Sequence, residues 1–305
     1  MLVILLGVIA PIFLMMGAGF AVQKTLGLDL RTLTRLNFWI FVPAFLFTKI
    51  VASELPTSAL FETALHFMIL LGVMFALAWF GAHLIGAGDA LRRSMTACVL
   101  FYNSGNYGVP VAHLAFPGSG VAESVQAIVM TLQNLCNFTI GLGLQAGGGG
   151  KGRRETLGAI FKLPMIYTFA AACLFRGLHW LPPLPIWQAL QYLAQAMAPV
   201  ALVTLGAQMA TLKSYRFRRE MALTLFLRLA VAPLFGFALV KMMGLSGVLA
   251  QALIVSTCFP IAVNTALLAL EFDNEPEFAA ASVFYSTLFS SVTVSLVIYA
   301  VRNFM

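Results

Sequence analysis

Ten apolar segments, each about the length needed to cross a lipid bilayer, occupy most of this 305-residue chain. A membrane-spanning helix needs about 20 mostly apolar residues. Only 10% of the residues are charged, whereas soluble domains usually have about 25%. The sequence therefore predicts an all-α polytopic membrane protein with ten transmembrane helices and no separate soluble domain. The predicted segments are 2–22, 32–52, 62–85, 94–116, 119–143, 159–178, 186–210, 221–243, 246–268 and 277–301.

Basic residues are concentrated in alternate loops between these segments. With the N-terminus outside, thirteen of the eighteen Lys and Arg residues fall in inside loops, as the positive-inside rule requires. We therefore predict an integral, multi-pass protein of the bacterial inner (plasma) membrane with both termini outside. Because the charge is spread over short loops, no nucleic-acid partner is predicted. The thirteen residues are Lys24, Arg31, Arg35, Arg92, Arg93, Lys151, Arg153, Arg154, Lys162, Lys213, Arg216, Arg218 and Arg219.

The chain divides into two similar halves. Residues 147–158 are rich in glycine and charge, which is typical of a flexible inside linker. This linker separates a first five-helix repeat, residues 1–146, from a second five-helix repeat, residues 159–305. Because five spans is an odd number, the second repeat must insert upside down, as an inverted repeat. Prolines recur at similar places in the two halves, in the pairs Pro11 and Pro164, Pro43 and Pro199, and Pro110 and Pro260.

The fourth and ninth segments are both interrupted near mid-membrane. The fourth contains Asn103-Ser104-Gly105-Asn106-Tyr107-Gly108-Val109-Pro110, and the ninth contains Pro260-Ile261-Ala262-Val263-Asn264-Thr265. Unpaired backbone groups in lipid cost several kcal/mol each unless protein or a water-filled cavity satisfies them. We predict helix breaks at Gly105, Pro110 and Pro260, with the two prolines in the first turn of restarting helices. Paired broken helices indicate a transporter binding site.

These breaks suggest a way to bind an anion. Each restart presents a helix N-terminus, which attracts negative charge without Lys or Arg. The asparagines could instead only join helices by hydrogen bonds. His113, one turn after Pro110, is a possible proton-coupling residue, with a purely structural histidine as the alternative. The candidate substrate-binding residues are Asn103, Ser104, Asn106, Gly108, Asn264, Thr265, Gln133 and Asn137.

The fourth-segment motif Asn103-x-Gly105-Asn106-x-Gly108-x-Pro110, the Pro260-x-x-x-Asn264-Thr265 element and Ser286-Thr287 resemble the auxin efflux carrier family. That family includes the plant PIN-formed carriers and bacterial malate and malonate permeases. The resemblance implies two inverted five-helix repeats, crossing broken helices 4 and 9, an elevator-like motion, homodimers and small carboxylate substrates. It also implies that Asn106 and Asn264 flank the substrate carboxylate, with Pro110 and Pro260 at the crossing.

The predicted function is secondary active or facilitative transport of small organic anions. We expect helices 1, 2, 6 and 7 to form a scaffold against which a core of helices 3–5 and 8–10 moves. The alternative is a sodium-coupled anion symporter of the bile acid carrier type, although neither broken segment contains an acidic residue. A channel is less consistent with two crossed breaks. The membrane aspartates or serine–histidine pair of an intramembrane protease are not found, so an enzyme is not predicted.

Other polar and sulfur-containing residues give weaker indications. Arg228 and Lys49 lie toward segment ends and are interpreted as reaching to the membrane interface. Four cysteines, Cys98, Cys136, Cys173 and Cys258, lie in apolar segments without a close pair and are interpreted as packing residues. No metal and no cofactor are predicted. The predicted partners are the anionic substrate, membrane lipid and a second copy of the chain.

Overall fold

The chain folds into helices joined by short turns. The computed structural model describes residues 1–147, 163–211 and 217–305, and within these ranges the only strand-like pairing is one bridge between Tyr102 and Ile261. The predicted all-α fold is confirmed at this level. In chain order the helices are α1 (Leu2–Thr25), α2 (Leu30–Val51), α3 (Thr57–Leu84), α4 (Asp89–Leu100), α5 (104–115), α6 (Gly120–Gln145), α7 (Pro164–Gly177), α8 (Leu184–Thr211), α9 (Arg219–Met242), α10 (Gly247–Ser256), α11 (Val263–Glu271) and α12 (Pro276–Phe304).

Seven of these helices are long and apolar enough to cross a membrane, namely α1, α2, α3, α6, α8, α9 and α12. At a rise of 1.5 Å per residue, about 20 residues match the thickness of the hydrocarbon layer. The protein is therefore an integral, multi-pass membrane protein. Most of the predicted linker 147–158 lies outside the described residues, as do Lys162, Lys213 and Arg216.

Wide π turns interrupt five of the long helices or half-helices. Four of these turns end two residues before a proline, at Pro11, Pro43, Pro110 and Pro233. Proline has no N–H to donate, and its ring clashes with the carbonyl four residues earlier in a regular α-helix. A π turn changes the hydrogen-bond spacing at that point, so the helix continues past the proline without a break.

The helices pack in two groups. Helix α1 crosses α8, and α2 packs against both α7 and α8. The crossing of α1 and α8 is so close that a methyl group on Gly19 would overlap the Val203 carbonyl, and one on Gly206 would overlap the carbonyl of Met16. In the second group, α3, α6, α9 and α12 pack around the four shorter helices α4, α5, α10 and α11. The ends of the two short pairs that face each other, Leu100 to Ser104 and Ser256 to Ala262, are thus buried in the protein interior.

The α1–α8 crossing can be tested with two glycines of the same helix. We expect Gly19→Ala to destabilise the protein by about 1–3 kcal/mol, because the added methyl group pushes two backbones apart. Gly17→Ala is the matched control, since no atom lies within 4 Å of a Cβ at that position. Thermal unfolding of the purified variants in detergent measures both. Equal melting temperatures for the two variants would contradict the close crossing.

Candidate functional site

Two extended stretches cross at the centre of the second helix group. Helix α4 ends at Leu100 and α5 begins at Ser104, while α10 ends at Ser256 and α11 begins at Val263. The stretches between them run antiparallel and pair at Tyr102 and Ile261. The N–H of Asn103 donates to the Pro260 carbonyl at 2.7 Å, and the N–H of Ala262 donates to the carbonyl of Phe101 at 2.9 Å.

Side chains satisfy other backbone groups that the interruptions release. The Ile261 N–H donates to the Ser286 hydroxyl at 3.0 Å, so Ser286 of the Ser286-Thr287 motif supports the crossing. The Gln133 amide donates to the Leu100 carbonyl at 3.1 Å, and the Gln126 amide to that of Ser104 at 2.6 Å. A buried backbone group without a partner is costly, and these bonds remove that cost.

The interruptions lie at slightly different residues from those predicted. In the fourth segment the break is at Phe101–Asn103, and Gly105 and Pro110 both lie within α5, which begins with the π turn Ser104–Gly108. The placement of Pro260 in the first turn of a restarting helix is wrong, because it lies in the extended stretch before Val263. Its carbonyl is needed there as the acceptor for Asn103.

The interpretation of Arg228 as reaching to the interface is wrong. Its side chain lies at the crossing and is only 1% exposed. One guanidinium nitrogen donates to the Val99 carbonyl at 3.0 Å and another to the Thr257 carbonyl, while the group stacks 4.5 Å from the Tyr102 ring centre. A charged residue inside a membrane span is a functional candidate by default, and that signal was present in the sequence.

A small polar cavity of about 80 Å³ lies beside the crossing. It collects seven of the candidate site residues predicted from the sequence: Asn103, Ser104, Gly105, Asn106, Gln133, Asn137 and Asn264. Its other lining residues are Thr34, Asn37, Phe38, Val42, Tyr102, Met130, Asn134, Met165, Thr204, Ala262 and Val263. None of these side chains carries a formal charge.

Two helix N-termini lie beside this cavity. Ser104, Gly105 and Asn106 form the first turn of α5, and Ala262 and Asn264 lie at the start of α11. The first amides of a helix have no intrahelical acceptor, and the helix dipole makes this end positive. The opposite, negative ends of α4 and α10 face Arg228 instead. The two positive helix ends therefore lie at the cavity, and the two negative helix ends lie at Arg228.

Buried amide side chains give the cavity its hydrogen-bonding capacity. The Asn37 amide of α2 donates to the Asn106 oxygen at 2.9 Å, which joins the two helix groups. Asn103, Gln133 and Asn137 are each at most 6% exposed, and each has one amide atom without a partner among the described residues. Asn37 and Asn137 both begin a π turn, and Asn106 lies within one. Such turns often occur at functional sites.

Five predicted residues do not line this cavity. Gly108 and Thr265 are buried in the protein interior, and Pro260 lies in the crossing stretch. Pro110 and His113 line a second cavity of about 320 Å³, which lies between α1, α2 and α8 on one side and α5 and α6 on the other.

The second cavity has a charged cluster on its wall. Glu123 of α6 bonds Lys49 of α2 at 2.6 Å and His113 of α5 at 2.7 Å. The interpretation of Lys49 as simply reaching to the interface therefore needs correction, because the residue forms an ion pair between the two helix groups. Within the described ranges, this cluster included, no three His, Cys, Asp or Glu residues are close enough to hold a metal ion.

Comparison with known proteins identifies the class to which this architecture belongs. Residues 156–298 match the family model described as "Membrane transport protein". An "Uncharacterized transporter" of Methanothermobacter thermautotrophicus is 27% identical over 285 residues, covering 90% of this chain and 91% of the relative. A "Putative malonate transporter" of Rhizobium meliloti is 26% identical over 207 residues, covering 65% of each chain.

The chain is a membrane transporter and not an enzyme. The matching model describes the membrane transport protein family, which is the auxin efflux carrier family, and the match lies in the second half of the chain. The resemblance seen in the sequence motifs agrees with this match and with the two transporter relatives.

The packing of the crossing can be tested at Gly108. A methyl group at this position would lie 2.6 Å from both the Phe259 ring and the Gln126 amide, so Gly108→Ala should destabilise the protein by about 1–3 kcal/mol. At Gly105 the nearest atom is the Met130 sulfur at 3.5 Å, so Gly105→Ala is the matched control. Thermal unfolding in detergent compares them, and an unchanged Gly108→Ala protein would argue against this packing.

Proposed function

We propose that this transporter carries small organic anions, with carboxylates as the substrate class, by secondary active or facilitative transport. The observation that supports this best is the pair of helix N-termini, at Ser104 and Val263, beside one uncharged cavity lined with amides. Such ends bind anions through backbone N–H groups and the helix dipole. The malonate named for the Rhizobium meliloti relative is a small dicarboxylate of this class.

The size of the cavity supports a small substrate. Its volume of about 80 Å³ is well below the roughly 300–1,000 Å³ of pockets for drug-sized ligands. Malonate and similar anions of a few heavy atoms are therefore favoured over large ring systems. The amides at Asn103, Asn137 and Asn264 supply donors and acceptors, since rotation of an amide by 180° exchanges the two.

We propose ten membrane passes in two inverted repeats. The seven long helices contribute seven passes, and α7 contributes an eighth. The pairs α4–α5 and α10–α11 form the remaining two, each interrupted near its middle. The antiparallel pairing of Tyr102 with Ile261 is what an inverted repeat predicts for two equivalent stretches that meet.

The proposed motion is an elevator-like movement of one helix group against the other. The scaffold would be α1, α2, α7 and α8, and the moving core would be the remaining helices. Both cavities lie between these two groups, as alternating access requires. The Asn37–Asn106 hydrogen bond and the Lys49–Glu123 ion pair join scaffold to core, so both must break when the core moves.

His113 remains a candidate for proton coupling. Its ring nitrogen contacts the Glu123 carboxylate at 2.7 Å, in the larger cavity and on the core side of the proposed moving interface. The Glu123 carboxylate is shared between His113 and Lys49, so His113 contacts the ion pair that joins core and scaffold.

The asparagines of the cavity test the proposed site. We expect Asn106→Ala and Asn264→Ala each to weaken malonate binding by about tenfold to a hundredfold, because each removes a hydrogen bond to a charged group. Uptake of labelled malonate into proteoliposomes should fall in parallel. The melting temperature of Asn264→Ala should change little, whereas Asn106→Ala should lose about 1–3 kcal/mol of stability because the buried Asn37 amide loses its acceptor. Asn303→Ala is the control, since the Asn303 amide bonds only Tyr299 of its own exposed helix turn. Full-rate uptake by either cavity variant would remove that residue from the site.

A panel of ligands tests the substrate class. We expect malonate, malate and acetate to raise the melting temperature of the purified protein, because a ligand that binds only the folded state stabilises it by mass action. The neutral diamide of malonic acid has similar size and serves as the control for charge. Stabilisation by the diamide equal to that by malonate would count against an anion site.

A further inference from the structure

Arg228 occupies an unusual position at the crossing. Its guanidinium is buried and, among the described residues, has no carboxylate partner. An arginine stays charged in proteins, and an uncompensated charge inside the membrane is costly. The negative ends of two helices provide the compensation here.

The acceptors of Arg228 belong to two different half-helices. Val99 lies in the last turn of α4, and Thr257 is the residue that follows α10. Each helix C-terminus carries about half a negative charge. One guanidinium with a full positive charge therefore balances the pair, and its fork of donors reaches both carbonyls at once.

Carbonyls at the ends of half-helices are also groups that can bind a coupling cation. In transporters with broken helices, unwound carbonyls and the C-terminal ends of half-helices coordinate sodium. Hard cations such as sodium prefer oxygen ligands of this kind. Here the carbonyls of Val99 and Thr257 already accept from Arg228, and the Leu100 carbonyl accepts from Gln133.

We propose that Arg228 is a built-in cation that takes the place of a coupling sodium ion, so that transport by this protein is independent of sodium. The guanidinium is part of the chain, so it compensates the two half-helix ends without an ion having to enter or leave. The statement that transport is independent of sodium rests on the proposed transport function. The charge balance at the crossing does not depend on it.

The test uses thermal unfolding of the purified full-length protein, which needs no substrate. Wild-type protein is compared in sodium chloride and in choline chloride at equal ionic strength. We expect the same melting temperature in both salts. A sodium site saturated many times over would instead raise it by several degrees, and a sodium-specific rise would overturn the proposal. Because malonate is absent, this result is independent of whether the substrate class is right.

Two variants test the role of the charge itself. We expect Arg228→Met to lower the melting temperature markedly and Arg228→Lys, which keeps a cation and donors, to recover part of the loss. Arg302→Met is the matched control, because Arg302 donates to the carbonyl of Ala115 at the end of a single helix and is exposed. Equal losses for the Met and Lys variants would overturn charge compensation. If Arg228→Met does not fold, the wild-type comparison of salts still decides whether sodium binds.

Discussion

Two backbone hydrogen bonds between distant parts of the chain determine how the centre of this protein is built. They join Asn103 to Pro260 and Ala262 to Phe101, and they allow two extended stretches to exist inside a membrane-embedded fold. Without such pairing the released amides and carbonyls would each be costly in a medium that offers no water. The pairing also brings four helix ends together, with the negative ends at Arg228 and the positive ends at the smaller cavity.

Irregular helix geometry then directs the important side chains toward the crossing. Asn37, Asn106, Asn137 and Arg228 all lie in π turns, and three of these four turns come just before a proline. The extra residue of a π turn shifts the side chains that follow it around the helix axis. Proline thus has an indirect effect in this protein: it favours a change of helix geometry, and that change places polar groups in the interior.

The two cavities connect the fold to the proposed mechanism. Both lie where the group α1, α2, α7 and α8 meets the rest of the protein, and each has a polar bond across that boundary. At the smaller cavity this bond joins two amides, and at the larger one it joins Lys49 to Glu123. The tight contact of α1 with α8, which depends on Gly19 and Gly206, is consistent with one group moving as a rigid unit.

The sequence by itself determined the class of protein, because lipid demands long apolar helices and makes glycine, asparagine and proline at mid-membrane conspicuous. It also indicated both interruptions and most of the polar residues that line the smaller cavity, including Asn103, Asn106 and Asn264. Only the tertiary structure decided that the first break begins at Phe101, that Gly108 packs on Phe259 and that Arg228 turns inward. These features depend on contacts between residues far apart in the chain, and local composition and spacing do not encode which helix faces meet.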